Sequence, residues 1–247
     1  MSTVDVSGDV IPFGRLVRLE VRKMVDTRAG RWLLIVMAAI GFLVSAVLVV
    51  WGEDVDQTFG SHLSFIALPL TVLLPIMGIM SATQEWSQRT GLATFTLVPR
   101  RGRIVAAKVG ASVVLTLALV LAGALAASLA TLVSGGDFTL AGLSVIGVVL
   151  SAVIFTLQGV AFGSAFLNTP AAIVAVLVLP TVWAFLTQVV GRLREVAVWL
   201  DLGRVIGPLE SGGMTGENWA HLVTASAVWV GLPLLVGCYR ILTREVK

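Results

Sequence analysis

Glu85 and Arg89 stand four residues apart, one helical turn, so a carboxylate and a guanidinium can share one face with Trp86 and Thr90 beside them. They can pair with each other or reach a partner chain, and as a plain surface ion pair they would be worth little. Other groups able to do chemistry are few. His62 and His221 are too isolated for a metal site, which needs several ligands at defined spacing, so no metal is expected and each histidine reads as an interfacial polar residue. Cys238 is the single cysteine; it cannot form an internal disulfide and reads as a small apolar side chain. The chain has no Gly-x-x-x-x-Gly-Lys-[Ser/Thr] phosphate loop, so it should bind no ATP and hydrolyse none. The run Glu210-Ser211-Gly212-Gly213-Met214 echoes a nucleotide-binding signature but has no such domain around it, and is read as a turn. No residue is assigned a catalytic role.

The elements that must carry these residues are apolar. Hydrophobic residues make up 57% of the 247, charged residues 13%, and the mean hydropathy is +0.98. Soluble domains carry roughly 25% charge. Six stretches, about 32–52, 63–82, 109–133, 140–167, 170–190 and 222–239, contain no Asp, Glu, Lys or Arg, and each approaches the ~20 residues needed to cross a bilayer. The expected fold is an all-α membrane protein of six transmembrane helices forming one domain. Pro69, Pro75, Pro180 and Pro233 fall inside these stretches and are tolerated where neighbouring helices satisfy the freed carbonyls. The apolar sequence begins near Trp32, too far in and too long for a cleavable signal.

Ionisable groups inside a membrane are costly and mark function. Their absence from the six stretches disfavours proton-driven transport, intramembrane proteolysis by aspartate or histidine, and haem ligation. Gln158 and Gln188 either bond across helices or line a pathway. Gly159 and Gly163 form a Gly-x-x-x-Gly step that permits close helix approach, and Gly110, Ala111, Gly123 and Ala126 offer small-residue packing in the third stretch.

Orientation follows from lysine and arginine in the connections. With the N-terminus cytoplasmic, the inside holds Arg15, Arg18, Arg22, Lys23, Arg28, Arg31, Arg89, Arg100, Arg101, Arg103, Lys108, Arg240, Arg244 and Lys247, fourteen of the 17 basic residues. The outside holds Arg192, Arg194 and Arg204. The expected topology is multi-pass with both termini cytoplasmic. The basic charge is thereby a topology signal, and no nucleic-acid partner is expected.

Three segments lie outside the apolar stretches. Over 13–28, Phe13, Leu16, Val17, Val21, Met24 and Val25 recur at helical spacing opposite Arg15, Arg18, Arg22 and Asp26. The pattern reads as an amphipathic helix in the membrane interface, or as a basic tail that only sets topology. Residues 83–91 read as a short helix capped by Gly91, followed by a Pro99-Arg100-Arg101-Gly102 turn. In 191–221, Leu193, Val196, Ala197 and Leu200 form an apolar helical face, which Gly203, Gly207 and Pro208 are expected to break.

This order resembles the type-2 ABC exporter permeases, and the C-terminal arrangement from Trp199 to Lys247 is similar to actinobacterial members. The residues carrying the resemblance are Glu85, Arg89, Thr90, Pro99, Arg100 and Lys108. It implies an elbow helix at 13–28, a coupling helix at 83–91 that docks on an ATPase, and short extracellular helices at 191–213. It implies two ATPase subunits holding ATP and Mg, a second permease copy or paralogue, no cofactor in this chain, and export of a drug, lipid or peptide across the plasma membrane. Rival readings are an ATP-independent channel or secondary transporter, and a membrane anchor or assembly protein.

Overall fold

The computed structural model describes residues 11–52, 56–88, 101–140 and 142–243. Among the described residues ten α-helices follow in chain order: α1 (Phe13–Asp26), α2 (Arg28–Trp51), α3 (Phe59–Ser87), α4 (Arg101–Ser134), α5 (Val145–Phe166), α6 (Thr169–Val189), α7 (Leu193–Leu200), α8 (Leu202–Glu210), α9 (Gly216–Ser226) and α10 (Leu232–Thr243). A π-helical turn, Ala227–Gly231, joins α9 to α10 into one continuous rod. No strand occurs among the described residues; the one extended pairing is an isolated bridge between Thr58 and Asp137.

The helix starts are written in the sequence. Thr27, Thr58, Ser144, Asn168, Asp201 and Thr215 each accept a backbone amide of the first turn that has no partner inside the helix. Pro170 sits in the first turn of α6, where its missing N–H costs nothing.

Six rods, α2 to α6 and Gly216–Thr243, are long and apolar enough to cross a membrane. Their outward faces are apolar too: Phe42, Ile146 and Leu235 each expose more than 70% of their surface. Water-solvated proteins do not present contiguous apolar surface on this scale; a bilayer is the solvent that accepts it. Exposed aromatics mark its two boundaries. Trp32 and Trp51 lie about 28 Å apart along α2, and Trp219 and Tyr239 about 30 Å apart along the last rod. Both spans match a bilayer core with an aromatic girdle at each face. This is the architecture of a multi-pass membrane protein.

The bundle is organised around α5. Of its most apolar stretch 56% is buried, against 17% for the peripheral α6. Its largest interface is with α3, and glycine makes that possible. A Cβ on Gly159 would lie 1.9 Å from the Pro75 carbonyl oxygen, and one on Gly78 would lie 2.3 Å from that of Thr156. The Gly159/Gly163 step thus does permit close approach, with α3 as its partner. Across the crossing Thr116 of α4 and Thr156 of α5 bond through their hydroxyls at 2.8 Å, both fully buried. α2 leans on α3 and α4, and the last rod on α5.

Several boundaries differ from the sequence-based ones. The second and third spans run well past 63–82 and 109–133, so their helices contain Glu85 and Lys108 and are not free of ionisable groups. Residues 83–87 are the unbroken end of α3, with no separate helix starting at 83. Gly203, Gly207 and Pro208 lie within α8; the break falls instead at Asp201, whose carboxylate caps α8. Of the apolar face expected on α7, only Ala197 is buried, while Leu202, Val205, Ile206 and Leu209 of α8 enter the core against Leu222 and Ala225. The segment 191–210 therefore folds back onto the bundle. Trp229 in the π-helical turn fixes it further, donating its indole N–H to the Leu200 carbonyl at 2.6 Å.

Candidate functional site

Glu85 ends its helix facing inward, 3% exposed. Two lysines meet it there: Lys108 of α4 at 2.7 Å and Lys23 of α1 at 3.3 Å. Glu20 of α1 completes the set, 2.6 Å from Lys23 and 2.9 Å from Lys108. Lys108 also donates to the Ser81 carbonyl at 2.9 Å. Two carboxylates and two ammonium groups thus alternate in a closed, neutral ring that joins three helices. Taking charges out of water costs several kcal/mol per ion, and such a cost is offset only when every group has partners at good geometry. Here each charge touches two of opposite sign.

The local sequence explains how each group arrives. Glu20 follows Leu16 by four residues and precedes Met24 by four, so it belongs to the buried stripe of α1. Arg15, Arg18 and Arg22 lie on the exposed side, and Arg22 closes on Asp26 at 3.0 Å. Lys23 is half-buried. Burial alone would lower its pKa; the hydrogen bond and charge of Glu20, and then those of Glu85, outweigh it and hold the ammonium above its ordinary 10.5.

Around the ring, the same end of the bundle is closed by arginines that donate to carbonyls. Arg101 reaches the Ile241 carbonyl at 2.8 Å and Arg103 the Ile11 carbonyl at 2.6 Å. Arg240 donates to the Ala165 carbonyl in the last turn of α5. The final carbonyls of a helix lack intrahelical partners and carry its negative dipole end, which suits a cation. Thr83 of α3 bonds Thr169 of α6 at 2.7 Å. The start of α4 and the ends of α3, α5 and α10 are therefore tied together.

The expected pairing of Glu85 with Arg89 concerns a residue outside the described ones, as does Thr90. Glu85 is committed to the two lysines, and Trp86 is half-buried near Val105, Leu167 and Ile241. Gln158 is buried on α5 and shows no interhelical hydrogen bond among the described residues, whereas Gln188 is exposed at the far end of α6. His62 and His221 are buried, 1% and 6% exposed, so neither is the wetted interfacial residue expected. His221 packs edge-on against Trp199. Cys238 is half-buried beside the Val105, Leu167 and Ile241 cluster. No group of three or more potential metal ligands occurs among the described residues.

In the sequence Lys23 stands only as a topology signal, Lys108 as that and as one of the residues carrying the resemblance, and Glu20 carries no reading. The available sign was an acid on the apolar stripe of an amphipathic helix, which demands a buried partner. Chemically the ring holds no free acid or base. It ties the end of α3 to α1 and α4. Neither a protein-family model nor a curated protein matches the chain.

Proposed function

We propose that this chain is the permease subunit of an ATP-driven ABC exporter that moves an amphipathic or hydrophobic substrate across the plasma membrane. The observation carrying the reading is the ionic ring at the end of α3. A bundle of apolar helices without a phosphate loop needs an external energy source, and the ring makes the segment just before residues 89–100 rigidly continuous with α1 and α4. The resemblance to type-2 exporter permeases assigns that segment to ATPase coupling and 13–28 to the elbow helix.

In this mechanism two ATPase subunits close on ATP and push the connections that follow α3 in two permease copies. The ring passes the motion to α1 and α4, and the bundles rock from inward-open to outward-open. The basic end of the bundle faces the cytoplasm, so both termini lie inside. Nucleotide shifts the equilibrium through unequal affinity for the two states. Ser87 and Gln88, exposed at the end of α3, join Arg89 and Thr90 as the docking surface, while Glu85 positions it from within.

The test is co-purification with a candidate ATPase followed by ATP hydrolysis in lipid. Arg89→Ala is expected to weaken assembly, and Glu85→Gln to leave assembly intact but lower substrate-stimulated hydrolysis. If no ATPase binds and both variants behave as wild type, the chain is an ATP-independent channel or an anchor.

A further inference from the structure

Beside the ionic ring, where α1 turns into α2, a groove of about 570 Å³ opens between that corner, α3 and the start of α6. We infer that it binds a phospholipid with a net-anionic headgroup, holding the phosphate at Arg28 and the upper acyl chain between α2 and α3. The inference needs no ATPase and goes beyond the transport reading.

Charge selects the headgroup. Among the described residues lining the groove Arg28 is the one cation, and no carboxylate lines it. Lys23 and Lys108 are neutralised in the ring and Arg22 by Asp26. Arg28 is exposed and has no ion pair or hydrogen-bonding partner among the described residues. It is also the first residue of α2. The Thr27 cap takes the amide of Gly30, leaving the amides of Arg28 and Ala29 and the positive end of the helix beside the guanidinium. An anion is stabilised there. A choline or ethanolamine ammonium would find no acid among the described residues lining the groove.

Depth selects a lipid over a free phosphate. Along α3 the wall changes from Gln88 and Gln84 to Met80 and Met77 over about 16 Å, and Leu33 and Leu34 face them from α2. Polar at one end and apolar at the other, the groove has the gradient of a headgroup and its first methylenes. Methionines adapt to chains of differing shape. Between the two zones lies Ser81, 2% exposed, whose hydroxyl has no hydrogen-bond partner. It is an unpartnered donor within the groove wall, covered as it stands, that an ester carbonyl of the glycerol backbone would satisfy as the lipid seats.

The experiment is a native mass spectrometry titration of the purified full chain in non-ionic detergent. The probes are phosphatidylglycerol, phosphatidylcholine with the same chains, and glycerol 3-phosphate as a soluble competitor. Phosphatidylglycerol should bind about tenfold tighter than phosphatidylcholine, whose phosphate carries its own compensating ammonium, and Arg28→Gln should remove that preference, because net charge decides it and not the phosphate contact the two lipids share. Arg18→Gln, the same charge change away from the groove, should keep it. Met80→Trp, which fills the apolar wall, should weaken both lipids and leave the preference intact. Equal binding of the two lipids by wild type overturns the proposal, and so does an equal loss in Arg18→Gln. Displacement by glycerol 3-phosphate at equimolar concentration overturns the lipid and points to a phosphate site. Failure to bind an ATPase would leave this result untouched.

Discussion

Lys108 holds two carboxylates and a backbone carbonyl in a place 6% exposed to solvent. Replacing it by methionine keeps the bulk and leaves Glu20 and Glu85 facing each other with Lys23 alone. Breaking a buried pair on one side costs about 3–5 kcal/mol, so Lys108→Met should lower the melting temperature in detergent sharply. Adding Glu85→Gln should recover part of the loss, because it removes the stranded charge. Simple additivity of the two losses would mean the groups are not coupled. Lys23 gives a pH signature. Its pKa is raised on folding, so its contribution is fully present below pH 10.5 and is lost as pH rises through the higher folded value. The melting-temperature gap between wild type and Lys23→Met should be constant from pH 7 to 9 and close above 10.5. A gap that widens in that range would reverse the sign. At this scale the sequence offered Glu85 and Lys108 as notable residues but not as partners. Glu20 and Lys108 are 88 positions apart, and no local pattern joins them. The Thr116–Thr156 bond was equally hidden, since a threonine in an apolar helix ordinarily bonds its own preceding turn; with one proton each, only one of the two keeps that bond while the other donates across.

The crossing of α3 and α5 is an element-scale feature that depends on missing side chains. Gly159→Val would place methyl groups into the Pro75 backbone, which cannot yield as a side chain can. Overpacking of this kind costs about 1–3 kcal/mol or more. Gly14 in α1 is the contrast: it is exposed, it is followed by Arg15, and a Cβ there meets nothing within 4 Å. Gly14→Ala should therefore stabilise by up to about 0.5–1 kcal/mol through helix propensity. Thermal unfolding of both variants checks the pair, and destabilisation by Gly14→Ala would remove the argument. The close-approach step was readable from the Gly159/Gly163 spacing; its partner helix was not. Helix ends were misplaced because hydropathy locates where apolar residues stop, while helices continue into water or into buried ion pairs. The α3 helix extends to Ser87 for that reason: its last turn is held by lysines from α1 and α4.

For the whole molecule, charge distribution makes a prediction about sidedness. Among the described residues Arg192, Arg194 and Arg204 are the basic groups at one end, and all the others gather at the end holding the ionic ring. Lysine and arginine are retained on the cytoplasmic side during insertion. In a chain with Cys238→Ala, Gly213→Cys should react with an impermeant maleimide from outside intact cells, and Ser87→Cys only after permeabilisation; the opposite pattern would invert the topology. What the sequence determined by itself is the number of spans, their outward apolarity, the close-packing glycines and the charge asymmetry. These are sums of local properties measured against one fixed length, the thickness of a bilayer. What only the tertiary structure decided is which distant groups meet: the four-charge ring, the fold-back of α7 and α8, and the groove at Arg28. Partner choice for a buried charge depends on how helices far apart in sequence pack in depth and rotation, and no residue's immediate neighbours encode that.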